Sequence, residues 1–174
     1  MILGVSVALA LAAVPSSGAS REAFKAAMIY RLATFVAWPE SALGDGSFVI
    51  GVLGASDVAG QLKELSGAQT IGGRPIEVRR IDGAAQLGGC VLVFVGQDRG
   101  GELEEVLSRA SGRSLLTVSD VEGFASRGGM IELVRDGRKL KFEVHRGAAT
   151  DAGLRVSSRL LELAAAVYPP VGDE

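Results

Sequence analysis

The sequence predicts an α/β fold, a single domain in which a mixed, mostly parallel sheet is flanked by helices on both faces. Uncharged apolar runs, such as residues 91–95, are typical of strands covered on both sides. Amphipathic segments alternate with these runs along most of the chain, as expected for parallel strands joined by helices. Asp136-Gly137 separates two strand patterns and predicts a terminal β-hairpin, which a C-terminal helix follows. A length of 174 residues, 48% of them apolar, suits one domain with a proper core.

The first predicted helix covers residues 20–38 and ends before Pro39. It holds four of the nine aromatic residues of the chain, so we expect it either in the core or at an interface, and a homodimer stays open. Its predicted apolar stripe has helical spacing and consists of Phe24, Met28, Leu32 and Phe35.

The remaining elements follow in order along the chain. Strands are predicted at residues 48–53, 76–81, 91–95, 130–135 and 139–145. Helices are predicted at residues 58–65, 102–110 and 150–167. Asp57 is the expected N-cap of the second helix.

The N-terminal 19 residues resemble a signal peptide. They carry no charged side chain, and the apolar run 2–14 is short for a membrane span. Small residues at 17 and 19 favour cleavage before Ser20, and an uncleaved anchor is the alternative. We therefore expect export, a folded domain over residues 20–170 and a short tail over residues 171–174.

Composition disfavours several functions. A net charge of −2 with interspersed signs does not favour nucleic-acid binding. One histidine and one cysteine are too few ligands for a typical transition-metal site. Glycines 51, 54 and 60 do not have the spacing of a dinucleotide-binding loop. No cofactor is therefore predicted. His145 has no nucleophile or orienting acid in its pattern, which argues against an enzyme and favours a surface position. Cys90 is expected to be unpaired within the chain, either as a buried apolar residue or in an intermolecular bridge.

The stretch of residues 115–133 is the first place to look for a binding site. An apolar strand runs into Ser119 and Asp120, whose oxygens can cap a short helix or contact a ligand. Phe124 is the large apolar side chain of the turn, and Arg127 adds a polar contact. Gly128 and Gly129 allow a sharp reversal before the next strand. The pattern predicts a shaped turn that holds a partner or a small molecule.

The predicted last helix offers a second surface. Leu154 and Leu161 lie seven residues apart, off its main stripe, and are either exposed partner contacts or core residues. Two binding functions follow: a regulator that contacts a membrane protein, and a sensor that holds a small molecule at the ends of the parallel strands.

The chain resembles the YfiR family in seven segments that occur in the same order. They are the opening helix that ends in Trp38-Pro39, FVIGVLG, Gly73-Arg74-Pro75-Ile76, CVLVFVG, LLTVSDVEGFASRGGMIEL, KLKFEVH and AGLRVSSRLLELA. Together they span about residues 26–166, which is nearly the whole predicted domain.

The resemblance implies a periplasmic regulator that binds the periplasmic part of a membrane-bound diguanylate cyclase and represses cyclic-di-GMP synthesis and biofilm formation. Related domains also accompany sensor kinases and outer-membrane receptors. The sequence departs from the family pattern at two positions. Cys90 matches a family cysteine but has no partner cysteine in the chain, so redox control by an internal disulfide should be absent. His145 stands where the family more often has asparagine.

Overall fold

The structure, a computed structural model, describes residues 17–169, with side chains from residue 21 onward. The predicted signal peptide lies outside the described residues except for its last three positions, and the predicted tail, residues 171–174, lies outside them entirely. None of the helices between residues 17 and 169 combines the length and the apolar character that a bilayer span requires.

The described chain alternates strands and helices, as predicted. The α-helices are α1 (Ser17–Thr34), α2 (Glu40–Leu43), α3 (Ser56–Ser66), α4 (Leu103–Ala110), α5 (Arg146–Asp151) and α6 (Ser158–Leu163). The strands are β1 (Val36–Ala37), β2 (Phe48–Leu53), β3 (Thr70–Ile71), β4 (Arg74–Ile81), β5 (Leu92–Val95), β6 (Leu116–Ser119), β7 (Ile131–Asp136), β8 (Lys139–His145), β9 (Arg155–Val156) and β10 (Ala166–Tyr168). Short 3-10 turns lie at Ala84–Gln86, Gln97–Glu102 and Ala125–Arg127.

One eight-stranded mixed sheet organises the fold, in the order β10-β8-β7-β6-β5-β2-β4-β3. Its central strands β4, β2, β5, β6 and β7 are parallel, and β7 and β8 form the predicted antiparallel hairpin, in which Asp136 pairs with Lys139. The α/β prediction with a mostly parallel sheet and a terminal hairpin is therefore confirmed.

Two apolar cores cover the two faces of this sheet, because consecutive strand residues point to opposite faces. On one face α1 and α3 pack over side chains such as Ile50 and Phe94. On the other face α4 packs over Leu53 and Val95, and Phe124 belongs to this second core. Strand β5 is buried along its whole length, as its uncharged sequence predicts.

The buried face of α1 includes Leu32 of the predicted stripe, and Met28 and Phe35 of that stripe are partly buried against the same core. Ala26, Ile29, Leu32 and Ala33 form the buried face, whereas Phe24 is 55% exposed. Trp38, beyond the end of the helix, packs edge-on against Phe48 with ring centroids 5.0 Å apart. The aromatic-rich segment thus supplies core contacts and also leaves one phenylalanine at the surface.

The predicted helix over residues 150–167 is wrong. Helix α5 ends at Asp151, where Gly153 has a φ of +74°. The amide of Leu154 donates to the carbonyl of Ala149, and the amide of Gly153 donates to that of Thr150, which is the Schellman pattern of a helix end. Such an end commonly buries the residue after the glycine, and Leu154 is 1% exposed.

The chain beyond this helix end forms separate short elements. Val156 pairs with Val36 in a two-stranded sheet of β1 and β9. Ser157 caps α6 by accepting the amide hydrogen of Leu160, and β10 then joins the main sheet beside β8. The segment predicted as one helix is therefore divided among the end of α5, β9, α6 and β10.

Two further expectations were wrong. The expected N-cap Asp57 lies inside the first turn of α3, which begins at Ser56 without a side-chain cap. His145, expected at the surface, is 6% exposed and is the N-cap of α5, where its Nδ1 accepts the amide hydrogen of Ala148 at 3.0 Å. It also stacks on Tyr168 of β10, with ring centroids 6.0 Å apart.

This geometry predicts that the capping function of His145 can be replaced by asparagine but not by alanine. Both H145N and H145A lose the stacking on Tyr168, so their difference reports the cap alone. We expect H145N to be more stable than H145A by about 1 kcal/mol in urea unfolding, because only asparagine supplies the acceptor. Equal stability of the two variants would contradict this role.

Candidate functional site

The segment of residues 120–130 connects two parallel neighbours, β6 and β7. Parallel strands usually need a crossover of about a dozen residues or more, most often a helix. Here eleven residues with only one 3-10 turn make the connection. We call residues 120–129 the crossover turn. A crossover this short needs internal support to hold its shape.

Glu132 of β7 provides that support. It is 5% exposed, and its carboxylate accepts the amide hydrogens of Gly123 and Ala125, both at 2.9 Å. Hydrogen bonds to a charged acceptor are among the stronger ones in proteins, and this carboxylate satisfies two backbone donors that no strand reaches. Sequence reasoning missed Glu132, although a charged residue between the apolar Ile131 and Leu133 of a predicted strand was a usable signal.

Phe124 and Gly129 pack against each other on the inner side of the crossover turn. Phe124 is fully buried in the α4-side core. A Cβ added to Gly129 would lie only 2.3–2.4 Å from the ring of Phe124, so the ring and the backbone of Gly129 are in direct contact. Gly128 has a φ of +94°, which glycine adopts readily, and this produces the predicted reversal.

Ser119 joins the start of the crossover turn to the centre of the sheet. Its hydroxyl donates to the carbonyl of Val95 at 2.8 Å and accepts the amide hydrogen of Val121 at 3.1 Å. It is fully buried, so it is placed for local support of the turn. In this geometry it is not presented to a ligand.

Asp120 links the crossover turn to α1. Its Oδ2 lies 2.8 Å from Nζ of Lys25, which also contacts Glu22 at 3.3 Å. Burial by itself lowers the pKa of Lys25, but the hydrogen bond and the charge of Asp120, together with Glu22, outweigh burial and leave that pKa raised. The other carboxylate oxygen of Asp120, Oδ1, is buried and has no hydrogen-bond partner among the described residues.

The other residues predicted for a binding site do not form one cluster. Arg127 lies exposed on the outer side of the crossover turn. Leu161 is partly buried and packs against the α1-side core. Leu154 is buried, as in the core alternative, and is closed to a partner in this conformation.

The usual ligand position of an open parallel sheet is filled by the protein itself. Strand β2 has β4 on one side and β5 on the other, so their carboxyl ends form the crevice in which α/β proteins commonly bind ligands. Here Asp98 Oδ1 accepts the amide hydrogen of Ala55 at 3.0 Å, at the start of α3. A Cβ on Gly54 or Gly96 would come within about 2.5 Å of the Asp98 carboxylate. A carboxylate thus occupies the place where a phosphate would bind.

An open cavity lies beside that crevice, between α1, the crossover turn and the hairpin. Its volume is about 730 Å³, and its lining includes Lys25, Asp120, Glu132 and Arg135. Charges of both signs therefore face the cavity. Between residues 17 and 169, the side chains of His, Cys, Asp and Glu form no group that could hold a metal ion.

A second carboxylate extends this polar region toward β10. Glu143 of β8 lies directly opposite Glu132 of β7, an arrangement that is unfavourable for two like charges. Tyr168 donates its hydroxyl hydrogen to Glu143 at 2.7 Å. This hydrogen bond, burial and the charges of Glu143 and Glu132 raise the pKa of Tyr168, so the phenol stays protonated as a donor.

Cys90 lies away from these groups. It is 5% exposed and unpaired, and its Sγ would lie 2.9 Å from a Cβ on Gly51. Burial raises the pKa of its thiol, because a thiolate is poorly solvated there. These features fit the predicted buried apolar residue.

Fold and site together define a class of protein: an α/β domain whose own Asp98 carboxylate fills the crevice at the strand ends, with a hydrogen-bonded crossover turn and a polar cavity beside it. The family model described as YfiR/HmsC-like matches residues 22–165. The chain therefore belongs to the YfiR/HmsC-like family, as its sequence motifs predict. At the level of this family, the assignment supports a periplasmic regulator of diguanylate cyclase signalling.

The fold is also similar to a solved structure, the ABC domain from Streptococcus pneumoniae in complex with L-Trp. The TM-score is 0.51 at 14% sequence identity, over 73% of this chain and 57% of that one. The chain thus spans little more than half of that structure, and the likeness concerns the fold. No curated protein matches the sequence significantly.

Substitution of Glu132 tests whether its carboxylate stabilises the crossover turn. We expect E132Q to lower the free energy of unfolding by about 2 kcal/mol, because the amide keeps one acceptor oxygen and turns a donor toward the second backbone amide. E122Q is the matched control, since Glu122 is exposed in the same turn, and we expect it to stay within about 0.5 kcal/mol of the wild type. Urea unfolding measures both, and equal effects would contradict the role of Glu132.

The contact between Gly129 and Phe124 predicts a steric effect. We expect G129A to destabilise the protein by about 2 kcal/mol, because the new methyl group overlaps a ring that cannot move within the core. G60A is the control, since Gly60 lies within α3 with nothing near its missing Cβ, and we expect it to be neutral or stabilising by up to about 1 kcal/mol. Thermal unfolding distinguishes the two, and a neutral G129A would show that the turn is loosely packed.

Proposed function

We propose that this protein is a non-catalytic periplasmic regulator that binds the periplasmic part of a membrane-bound diguanylate cyclase and represses it. Repression would lower cyclic-di-GMP and, with it, biofilm formation. The observation that carries the proposal is membership of the YfiR/HmsC-like family over residues 22–165.

Repression requires only a difference in affinity between two states of the partner. If the protein binds the inactive state of the cyclase more tightly, it shifts the population toward that state by at most this difference. The difference between the two states comes from contacts that only the inactive state of the partner offers. A preorganised contact surface strengthens binding, because little conformational entropy is lost when it binds. The crossover turn supports this, since Glu132 and the buried Phe124 fix its backbone.

Within the crossover turn, the exposed side chains are the partner contacts that we propose. Glu122, Ser126 and Arg127 are exposed. Phe124 and Gly129 of the turn, and Ser119 at the end of β6, are buried and support them. Leu161 is partly buried and can contribute at the margin of an interface, and Leu154 acts in the core.

A second candidate function is a periplasmic small-molecule sensor, either alone or as an accessory domain for a sensor kinase or an outer-membrane receptor. Two observations favour it: the cavity of about 730 Å³ and the unsatisfied oxygen Oδ1 of Asp120 in its lining. An unpaired buried acceptor is costly, and a small local movement would let a donor on a ligand reach it. A ligand there would contact the crossover turn and could tune partner binding.

The direct test combines a pull-down with a measurement of signalling. The full chain, carrying a C-terminal tag, is recovered from membrane extracts of its own source, and bound proteins are identified by mass spectrometry. We expect a diguanylate cyclase with a periplasmic domain, and we expect cyclic-di-GMP to rise when the gene is deleted.

R127E serves as the site variant and K63E as its control, because both reverse one exposed cation and only Arg127 lies on the crossover turn. If the pull-down recovers the cyclase with K63E but not with R127E, the proposed contact is supported. Recovery of only a kinase, a receptor or no membrane protein, with unchanged cyclic-di-GMP, would overturn the cyclase proposal in favour of the sensor.

A further inference from the structure

A basic groove lies between the start of α1 and the tip of the β7-β8 hairpin, and it shares Arg21, Lys25, Arg135 and Leu140 with the lining of the cavity. Its volume is about 520 Å³. The cations in its lining are Arg21, Lys25, Arg135, Arg138 and Lys139, and no acidic residue lines it. This concentration of positive charge stands out because the whole chain carries a net charge of −2.

The acids nearest the groove in sequence do not neutralise the cations at the hairpin tip. Asp136 lies 2.6 Å from Lys141, which is not part of the groove lining, and the hydrogen bond and charge of Lys141 lower the pKa of Asp136. Glu22 and Asp120 both bind Lys25. Within residues 21–169, no ion pair involves the exposed side chains of Arg135, Arg138 and Lys139, so these three can bind an external anion.

The groove also has an apolar wall. Phe24 is 55% exposed, the only phenylalanine among the exposed large apolar residues of the described chain, and Leu140 lies beside it in the lining. Isolated surface charges bind weakly, because water and salt screen them. A large apolar side chain in the same groove as the cations provides the affinity that the charges lack, while the charges set orientation and association rate.

We propose that this groove is the docking site for an acidic protein segment that carries an apolar side chain and belongs to the membrane partner. Charge complementarity requires an acidic occupant, because cations line the groove. The concave shape favours a protruding segment over a flat lipid surface, because a segment can enter the groove and contact both Phe24 and Leu140. The identity of the segment's owner rests on the proposed function, whereas the chemistry of the groove does not.

The hairpin geometry makes the site rigid on one side. Asp136 and Lys139 close a two-residue turn, and Gly137 has the positive φ of +58° that such a turn requires. The turn therefore fixes the backbone of Arg138 and Lys139, whose side chains line the same groove as Phe24. Exposed positions at a hairpin tip tolerate substitution, so the site can be altered without loss of the fold.

The test uses the whole purified protein and a fluorescently labelled peptide of glutamates with one central phenylalanine. We expect saturable binding that weakens as salt is added, measured by fluorescence anisotropy. The double variant R138E/K139E should bind about tenfold more weakly, and F24S should lose a similar factor. A peptide with serine in place of its phenylalanine should bind wild type as weakly as F24S binds the original peptide.

The matched control is K63E/R155E, which makes the same change in net charge at two exposed positions outside the groove. It should bind the peptide like the wild type, and circular dichroism and thermal unfolding establish that all variants are folded. Vesicles of equal parts phosphatidylglycerol and phosphatidylethanolamine are tested in parallel.

Three results would overturn the proposal. They are equal binding by R138E/K139E and K63E/R155E, no binding of the peptide by the wild type, and groove-dependent binding of vesicles without binding of the peptide. The last result would assign the groove to a membrane surface. Failure of the proposed function is distinguishable, because it would leave the peptide results intact while the membrane pull-down recovers no cyclase.

Discussion

The two hydrogen bonds from the amides of Gly123 and Ala125 to the carboxylate of Glu132 are the constraint on which the site depends. A parallel crossover without a helix leaves backbone donors that neither a strand nor a helix turn can satisfy. Glu132 satisfies two of them from the adjacent strand. Phe124, between them in sequence, is thereby directed into the α4-side core, and Gly129 can pass directly over its ring. A buried charge is costly by itself, so the position is suited to glutamate only because these donors are present.

Other polar contacts connect this turn to the elements around it. An ion pair joins Lys25 of α1 to Asp120. A hydrogen bond joins Tyr168 of β10 to Glu143, the residue opposite Glu132. The cavity and the basic groove lie between elements that are held together in this way. A surface fixed by such contacts loses little entropy when it binds, which is the physical advantage that a regulator acting through differential affinity would use.

Sequence patterns were sufficient where one local signal dominated. The uncharged run of β5, the strand β2 and the Asp136-Gly137 hairpin were all predicted with nearly the observed bounds. The C-terminal segment failed because helical periodicity was read through Gly153, whose positive φ ends α5 and buries Leu154. The prediction for Phe24 was also wrong: it was placed on the apolar stripe of the first helix, but it is 55% exposed. A helical stripe does not reveal which of two neighbouring faces meets the sheet. For the site, the sequence located the crossover turn, but the contacts of Glu132, Lys25 and His145 join residues whose pairing only the fold determines.

Amide hydrogen exchange at Gly123 and Ala125 tests the central claim most directly, because these are the two donors that Glu132 binds. If the carboxylate holds the turn, both amides should exchange as slowly as those of strand β5 and much more slowly than the amide of exposed Ser126. In E132Q the exchange of both should accelerate while β5 stays protected. Fast exchange at Gly123 and Ala125 in the wild-type protein would contradict the account, since the turn would then open independently of the sheet.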